Sequence, residues 1–537
     1  MILCALYGVI SLMKYLENKY KNIVLVVIDG FGYSESKYAN PLAVANLPNL
    51  KDFFSKYPHS LLDASEEHVG LRKGEPGSSE VGHMTIGAGY ISEQPFSFVE
   101  NRIKNGEFYK NPVILNAFEK AKKEHHKIHL IGQISDAGIH SHIKHFYPFL
   151  EIAKKLEIDN IFVHCITDGR DTPINSAPKY IGDMLDKMNE IGVGKIASVA
   201  GRYYSMDRTA NYDRVIKSYD AIVSHVGNKF TDPIAYVRSQ YEYLKNSEYP
   251  VSDEYITPAY AEDLPESKIE DGDVVIHVNL RADRAIEFSS LLSDVSLQEK
   301  YLPNSKKVNV HFLSLLFYAD SVKGDVIYGR HNLTKMLPLW LEEHNLSQFR
   351  IAETEKFAHV TFFFDGENKF DGIEKPKLKN SLCTLIPSKK VPSFADYPQM
   401  SAHEITDEFI KEMNQNHFNF TLLNFANCDL VGHTANFNSC VKAVETVDEC
   451  IGRIEKWCKE NDTVLIITAD HGNIEQTNKE NGDPFPSHTL NLVPFAISLI
   501  DIKLKERGSL TNIAATICEL FGYPKADYMD DGLIIYE

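Results

Sequence analysis

"NIVLVVIDG", Asn22 to Gly30, is an unbroken run of β-branched and aliphatic side chains closed by Asp29 and Gly30. An apolar run of this length without polar alternation is the pattern of a strand buried on both faces, and so of a parallel sheet packed between helices. The same punctuation recurs along the chain: "KIHLIGQISDAGIHSH" near Asp136, "IFVHCITDGRD" at Asp168, "DVVIHVNLRADR" at Arg281, "TLLNFANCD" at Asp429 and "TVLIITADHG" at Asp470. Between such runs lie helical patterns, for example Val441, Val444, Val447, Ile451, Ile454 and Trp457, spaced three or four apart. The fold class is therefore α/β. In open α/β sheets functional groups collect beyond the carboxyl ends of the strands, which makes these polar clusters the places to look for chemistry. Any single cluster, read alone, is a solvated loop as readily as a site.

At 537 residues the chain exceeds what one core usually holds, so two domains are expected. Its formal net charge of −18 argues against a general binder of nucleic acid or of membrane surfaces. Any anion it binds must be met by local cations. The eight cysteines show no C-x-x-C spacing, and a chain of this size needs no disulfide framework, so a reducing, cytoplasmic setting is expected. The opening "MILCALYGVISLM" lacks a basic leader and a small-residue cleavage site and is too short to span a bilayer. Residues 1–19 read as an N-terminal extension, with Met13 an alternative start. The acidic, tyrosine-rich stretch from Tyr236 to Asp273 reads as extended surface structure with some β character.

Asp29, Asp429, His433, Asp470, His471 and His488 are six potential metal ligands at strand ends or in nearby loops. Asp429 and His433 in "DLVGH" stand four apart and share a face if the segment turns helically. Carboxylate oxygen mixed with imidazole nitrogen, without cysteine, suits Mn²⁺, Zn²⁺ or Co²⁺. Six side chains exceed the needs of one tetrahedral ion and suffice for two, the usual clamp for in-line phosphoryl displacement. In "GSSEVGHMTIGAG", Gly77 to Gly89, two adjacent serines among glycines offer either a polar turn or a nucleophile.

The order Asp29-Gly-Phe-Gly, Ser79, Asp429-x-x-x-His433, Asp470-His471-Gly, His488 resembles the alkaline phosphatase superfamily. Within it, "GSSEVGHMTIGAG", "SDAGIHSHIKH", "TDGRDTP", "GRYYSMDR", "NLRADRA", "AETEKFAHVTFFF", "CDLVGHT" and "TADHGNIE" together resemble the 2,3-bisphosphoglycerate-independent phosphoglycerate mutases. The eight motifs run in family order over nearly the whole chain. The resemblance implies that Ser79, before Glu-Val-Gly, is the nucleophile and that Ser78 is a loop residue. It implies that Asp429, His433 and His488 hold one ion, that Asp29, Asp470, His471 and Ser79 hold the other, and that Lys356 neutralises phosphate oxygens. Two divalent ions, Mn²⁺ first and Co²⁺, Zn²⁺ or Mg²⁺ as alternatives, and no 2,3-bisphosphoglycerate are implied as cofactors.

Arg170, Arg202, Arg208, Arg281 and Arg284 fall between the halves of the metal set. Arginines gathered at strand ends of an acidic protein fit a small anion, since guanidinium forks match carboxylate and phosphate. Surface ion pairs with Asp168, Asp207 and Asp283 are the plainer reading of the same residues. The resemblance assigns the arginines to phosphoglycerate, with His140 and Asp171 at the glycerate hydroxyls and Asp171 as general base. It also implies an alkaline-phosphatase-like domain of residues 20–93 and 329–537, with a second α/β domain of residues 94–328 inserted, the two closing around the substrate. A monomer is expected, with no nucleic acid or membrane partner. Leu280, Ala137 and Ala435 depart from the family's usual phenylalanine and two glycines, and none of these changes removes a proposed ligand. Two other readings stay open at this point: a metal-dependent phosphatase or phosphopentomutase of the superfamily, and a catalytically silent binding protein on the same scaffold.

Overall fold

The computed structural model describes residues 20–329, 335–366 and 378–536. The chain divides into two compact units, Met1–Gln94 with Asn332–Glu537, and Pro95–His331. The expectations for the N-terminal extension lie outside the described residues.

In the first unit an eight-stranded sheet has Ile23–Ile28 near its centre, between Phe420–Phe425 and Val464–Thr468. Both neighbours run parallel to it, with Ile28 opposite Phe425 and Val27 opposite Thr468. All three strands are buried along their length, as unbroken apolar runs require. Because their carboxyl ends are in register, the residues that follow each strand emerge side by side: Asp29, the Asp429 turn, and Asp470 with His471. Gln348–Glu353 pairs parallel with Phe420–Phe425 on the far side and delivers Lys356 to the same edge. The other flank departs from the parallel pattern, since Val493–Ile497 runs antiparallel to both Val464–Thr468 and His59–Asp63. The heptad-like helix read from Val441 to Trp457 is a 24-residue helix, Phe437–Glu460, with Val444, Val447, Ile451, Ile454 and Trp457 buried.

The second unit carries its own eight-stranded sheet, in which Val274–His277, Ile128–Gln133, Ile161–Thr167 and Lys195–Gly201 are consecutive parallel neighbours. Asp168 follows one of these strands and Arg202 another. The stretch Tyr236–Asp273 has the β character read for it at the strand Ala259–Ala261, but its beginning differs from the reading as extended structure. Pro233–Leu244 is a helix, started by the Asp232 side chain accepting from the backbone of Ile234 and Ala235 and by Pro233 in the first turn. Tyr236, Val237, Gln240 and Leu244 form its buried face, so the rings are sheltered on a helix stripe. Among the described residues no helix is long and apolar enough to cross a membrane.

Candidate active site

Ser79 is the first residue of the helix Ser79–Ala88. Ser78, read from sequence as a loop residue, caps this helix, its side chain accepting from the backbone N–H of Val81 at 3.4 Å. The cap turns the Ser79 hydroxyl inward, where it is 5% exposed. Ser79 Oγ donates to Asp29 Oδ1 at 2.9 Å, lies 3.0 Å from His471 Nε2, and accepts from Lys356 Nζ at 2.6 Å. The Lys356 ammonium also donates to Asp29 Oδ1 at 2.8 Å and to Asp429 Oδ2 at 2.6 Å. Asp429 sits in a helical turn, Asn427–Gly432, which places His433 on its face as the four-residue spacing requires. The imidazole Nε2 atoms of His433 and His488 lie 3.2 and 3.1 Å from Asp429 Oδ1. His471 Nε2 lies 3.4 Å from Asp29 Oδ1 and 3.8 Å from Asp470 Oδ2. All six ligands expected from sequence are thus brought together with Ser79 and Lys356.

Two glycines make this closeness possible. Gly30 has φ +73° and a Cβ there would stand 2.7 Å from Asp429 Cα, so only glycine lets the first strand's end pass the Asp429 turn. A Cβ on Gly82 would stand 2.6 Å from the carbonyl oxygen of Asp470, so the serine helix lies directly on the Asp470 backbone.

The electrostatics follow from burying three carboxylates. Burial opposes the charge on Asp29 and Asp429, yet Lys356 beside both holds their carboxyls well below the usual range. The same carboxylates overcome burial of Lys356 and keep its ammonium charged. His471 is also buried, but Asp470, Asp29 and Asp429 outweigh that and raise it to about 10. The hydrogen bond to Asp429 raises His433.

The residues fit divalent ions. Asp29, Asp470 and His471 each offer one ligand atom within 4.8 Å of the others, and so do Asp429, His471 and His488. Among the described residues Asp470 Oδ2 is buried and accepts no hydrogen bond, although His83 Nδ1 is 3.1 Å away, because that nitrogen is engaged with the carbonyl oxygen of Ser79 at 2.9 Å. A fully buried carboxylate oxygen without a donor is costly unless a cation completes it.

In the second unit Asp168 organises the loop after its strand. Its Oδ1 accepts from the backbone N–H of Arg170 and Asp171 at 3.2 and 3.0 Å and from Arg202 Nη1 at 2.7 Å. Arg202 is buried and also donates to Asp171 Oδ2 at 2.5 Å, and His140 Nε2 lies 3.9 Å from the same oxygen. Asp283 holds two more arginines, Arg208 Nη1 at 3.0 Å and Arg281 Nε at 3.7 Å. Arg284 donates to the carbonyl of Met206 at 3.1 Å, and Arg170 stands 3.8 Å from Glu254. The surface ion pairs foreseen for Asp283 therefore exist, the pair of Asp168 with Arg202 is buried, and Asp207 pairs with Arg214 instead. Positive charge still accumulates: burial and the guanidiniums of Arg202, Arg208 and Arg170 pull the Arg284 pKa down. Burial, then Arg202, lowers His140 to about 4, which leaves a neutral ring able to serve a hydroxyl.

Residues 99–320 match the family described as BPG-independent PGAM N-terminus, and residues 319–530 the family described as type I phosphodiesterase / nucleotide pyrophosphatase. The 2,3-bisphosphoglycerate-independent phosphoglycerate mutase of Clostridium perfringens (strain SM101 / Type A) is 40% identical over 509 residues, 94% of this chain and 96% of that protein. The chain belongs to the 2,3-bisphosphoglycerate-independent phosphoglycerate mutases. The corresponding mutase of Clostridium acetobutylicum is 39% identical, covering 95% of this chain and 98% of its own. A crystal structure of Leishmania mexicana phosphoglycerate mutase at low cobalt concentration superposes with a TM-score of 0.67 at 28% identity, covering 96% of this chain and 98% of that one. Ala435, expected from the resemblance to stand in place of a glycine, adopts φ +50°, the left-handed region that glycine enters freely. Sequence reading passed over His83, Asn424 and Asn473, all fully buried beside the ligands. Asn473 Nδ2 donates to Asp429 Oδ1 at 3.0 Å. For His83 and Asn424 the signal was a polar side chain inside a buried helix or strand, and for Asn473 it was the place two residues after His471.

Proposed function

We propose that this mutase interconverts 3-phosphoglycerate and 2-phosphoglycerate through a phosphoserine at Ser79. The observation that carries the reading is the Ser79 hydroxyl, held at a helix start between a buried carboxylate and a buried ammonium. Attack by Oγ on phosphorus forms the new O–P bond and breaks the ester bond to the glycerate 3-oxygen; the reverse attack by the 2-hydroxyl returns the phosphate. Lys356 holds the serine oxygen by a charge-assisted hydrogen bond and meets negative charge as it develops there. Two divalent ions, manganese by preference, held by Asp429, His433 and His488 and by Asp29, Asp470, His471 and Ser79, would lower the serine pKa and neutralise phosphate oxygens. Arg170, Arg202, Arg208, Arg281 and Arg284 retain the glycerate by its carboxylate and phosphate, and His140 contacts its hydroxyls. Asp171 takes the proton of the 2-hydroxyl for the return transfer. The enzyme acts in glycolysis and gluconeogenesis as a cytoplasmic monomer.

The test is purified protein with 3-phosphoglycerate and Mn²⁺, without 2,3-bisphosphoglycerate, followed by enolase coupling and by mass spectrometry of the peptide carrying Ser79. Turnover with an 80 Da increment on Ser79, about the mass of one added phosphoryl group, is expected. Absence of turnover, or turnover that requires added 2,3-bisphosphoglycerate, refutes the reading.

A further inference from the structure

His83 and Asn424 are fully buried polar residues for which the proposed reaction has no task. Asn424 interrupts an apolar central strand, Phe420–Phe425, and lies opposite Val27, two residues before Asp29. Its amide nitrogen donates twice, to Asp29 Oδ2 at 2.8 Å and to His83 Nε2 at 3.1 Å. Its own Oδ1 is buried without a partner among the described residues. The orientation of this amide is therefore set by its two donated bonds alone.

The pair fixes the histidine tautomer as well. An amide nitrogen only donates, so His83 Nε2 accepts and the ring proton is on Nδ1. That N–H faces the carbonyl oxygen of Ser79 at 2.9 Å, four residues back on the same helix, with Asp470 Oδ2 at 3.1 Å beside it. The result is a continuous link from Asp29 through Asn424 and His83 to the backbone of the nucleophile. It divides the labour of the Asp29 carboxylate: Oδ1 meets Ser79, Lys356 and His471, while Oδ2 is tied to Asn424.

We propose that Asn424 and His83 are positioning residues that make Asp29 present a single oxygen to the ion it shares with Asp470 and His471. This rests on the two-ion reading of the site. Partners of this kind orient ligating carboxylates, and their loss typically costs about 10–100-fold in metal affinity.

The two amides that can replace a histidine separate positioning from mere filling of space. In His83→Gln the side-chain oxygen reaches the place of Nε2 and still accepts from Asn424. In His83→Asn the amide reaches only the place of Nδ1, so Asn424 loses its acceptor. Mn²⁺ titration of the full chain, followed by the EPR signal of free ion, reads the affinity without turnover. Asn424→Leu, of similar shape but without donors, is expected to weaken one of the two ions about 10–100-fold. The other ion, on Asp429, His433 and His488, should keep its affinity. His83→Gln should stay within about threefold of wild type and His83→Asn should follow Asn424→Leu. The kcat should fall with the affinity while KM for phosphoglycerate holds. Should Asn424→Leu fail to fold, the Gln and Asn variants decide by themselves. Wild-type affinity for both ions in Asn424→Leu, or equal losses in the two His83 variants, overturns the inference. Asp29→Asn is the control: if it too binds both ions as wild type does, the two-ion reading has failed, and the positioning role with it.

Discussion

Gly82→Ala tests how closely the helix that carries Ser79 must lie on the Asp470 turn. The added methyl would stand 2.6 Å from the Asp470 carbonyl oxygen and 2.7 Å from Asp470 Cβ, both backbone-anchored atoms that cannot swing aside. Ordinary contact begins at 3.4 Å, so the helix and the Asp470 turn must part by about 0.8 Å. Two effects oppose each other in stability. Overpacking costs about 1–3 kcal/mol, while alanine regains up to about 1 kcal/mol of helix propensity over glycine. The net loss of about 0–3 kcal/mol leaves the protein folded. The site is less forgiving, because Ser79 sits three residues before Gly82 on the same rigid helix. A shift of that size would lengthen the 2.9 Å bond from Ser79 Oγ to Asp29 beyond hydrogen-bond range. Misplacement of a reacting group by about 1 Å costs on the order of 100-fold in rate. Enolase-coupled kcat/KM should therefore fall about 100-fold in a variant whose melting temperature drops by only a few degrees. A folded Gly82→Ala within threefold of wild type would refute the claim that this approach sets the nucleophile.

Ser79→Ala should abolish turnover, whereas Ser78→Ala should keep most of it and lose about 0.5–2 kcal/mol of stability with the helix cap; enolase-coupled rates and urea midpoints of the two read this. Asp171→Asn should slow mutase turnover about 10²–10⁴-fold, the usual share of a general base, and raise the fraction of cleaved ester released as inorganic phosphate. His277 is buried beside Ser289, and burial lowers its pKa from 6.5 to about 3, so the unfolded chain takes up a proton near pH 6.5 that the folded chain refuses until about pH 3. Stability should fall as pH drops through that window, and His277→Asn should flatten the dependence in urea melts between pH 7 and 4. Ala435→Gly should raise stability by about 1 kcal/mol, since relief of about 1–2 kcal/mol of left-handed strain exceeds the entropy glycine adds to the unfolded chain; a lowered melting temperature would show that Ala435 is unstrained.

The parts of this fold legible in the sequence are those where one physical demand acts alone. Ile23–Ile28, Phe420–Phe425 and Val464–Thr468 are buried on both faces, so their side chains are nearly uniformly apolar, and the aspartates that end them mark the sheet's carboxyl edge. His59–Asp63 and Val493–Ile497 went unread because the first is half-exposed and the second carries a proline. The helix Pro233–Leu244 was missed because its tyrosines outweighed the Asp-Pro start signal. Lys356 could be placed only by resemblance, as a lone lysine more than 270 residues from Ser79 carries no spacing that ties the two. His83 and Asn424 were hidden for the converse reason: a lone histidine or asparagine in a buried segment looks like core, and what distinguishes them is the partner each one meets.

Lys356 shows why composition understates such a site. An ammonium has three hydrogens in a tripod, and here each has an acceptor: Asp29 Oδ1, Ser79 Oγ and Asp429 Oδ2, at 2.6 to 2.8 Å. A guanidinium carries the same charge, but its donors lie in one plane and cannot converge on three oxygens from a single nitrogen. The identity of the residue is therefore set by the shape of the oxygen cluster and only secondarily by its charge. The cluster is in turn fixed by backbone geometry: the parallel register that brings Asp29 and Asp429 together, and the glycines that let the strand end and the serine helix approach. An excess of eighteen negative charges spread over the chain says nothing about this point, where a buried ammonium is held within hydrogen-bonding reach of two carboxylates and a hydroxyl, with His471 and Asp470 beside them. The local cations that the proposed anionic substrate would require are present in this acidic protein: one ammonium on Ser79 in the first unit, and five arginines about Asp168 and Asp283 or close beside them in the second.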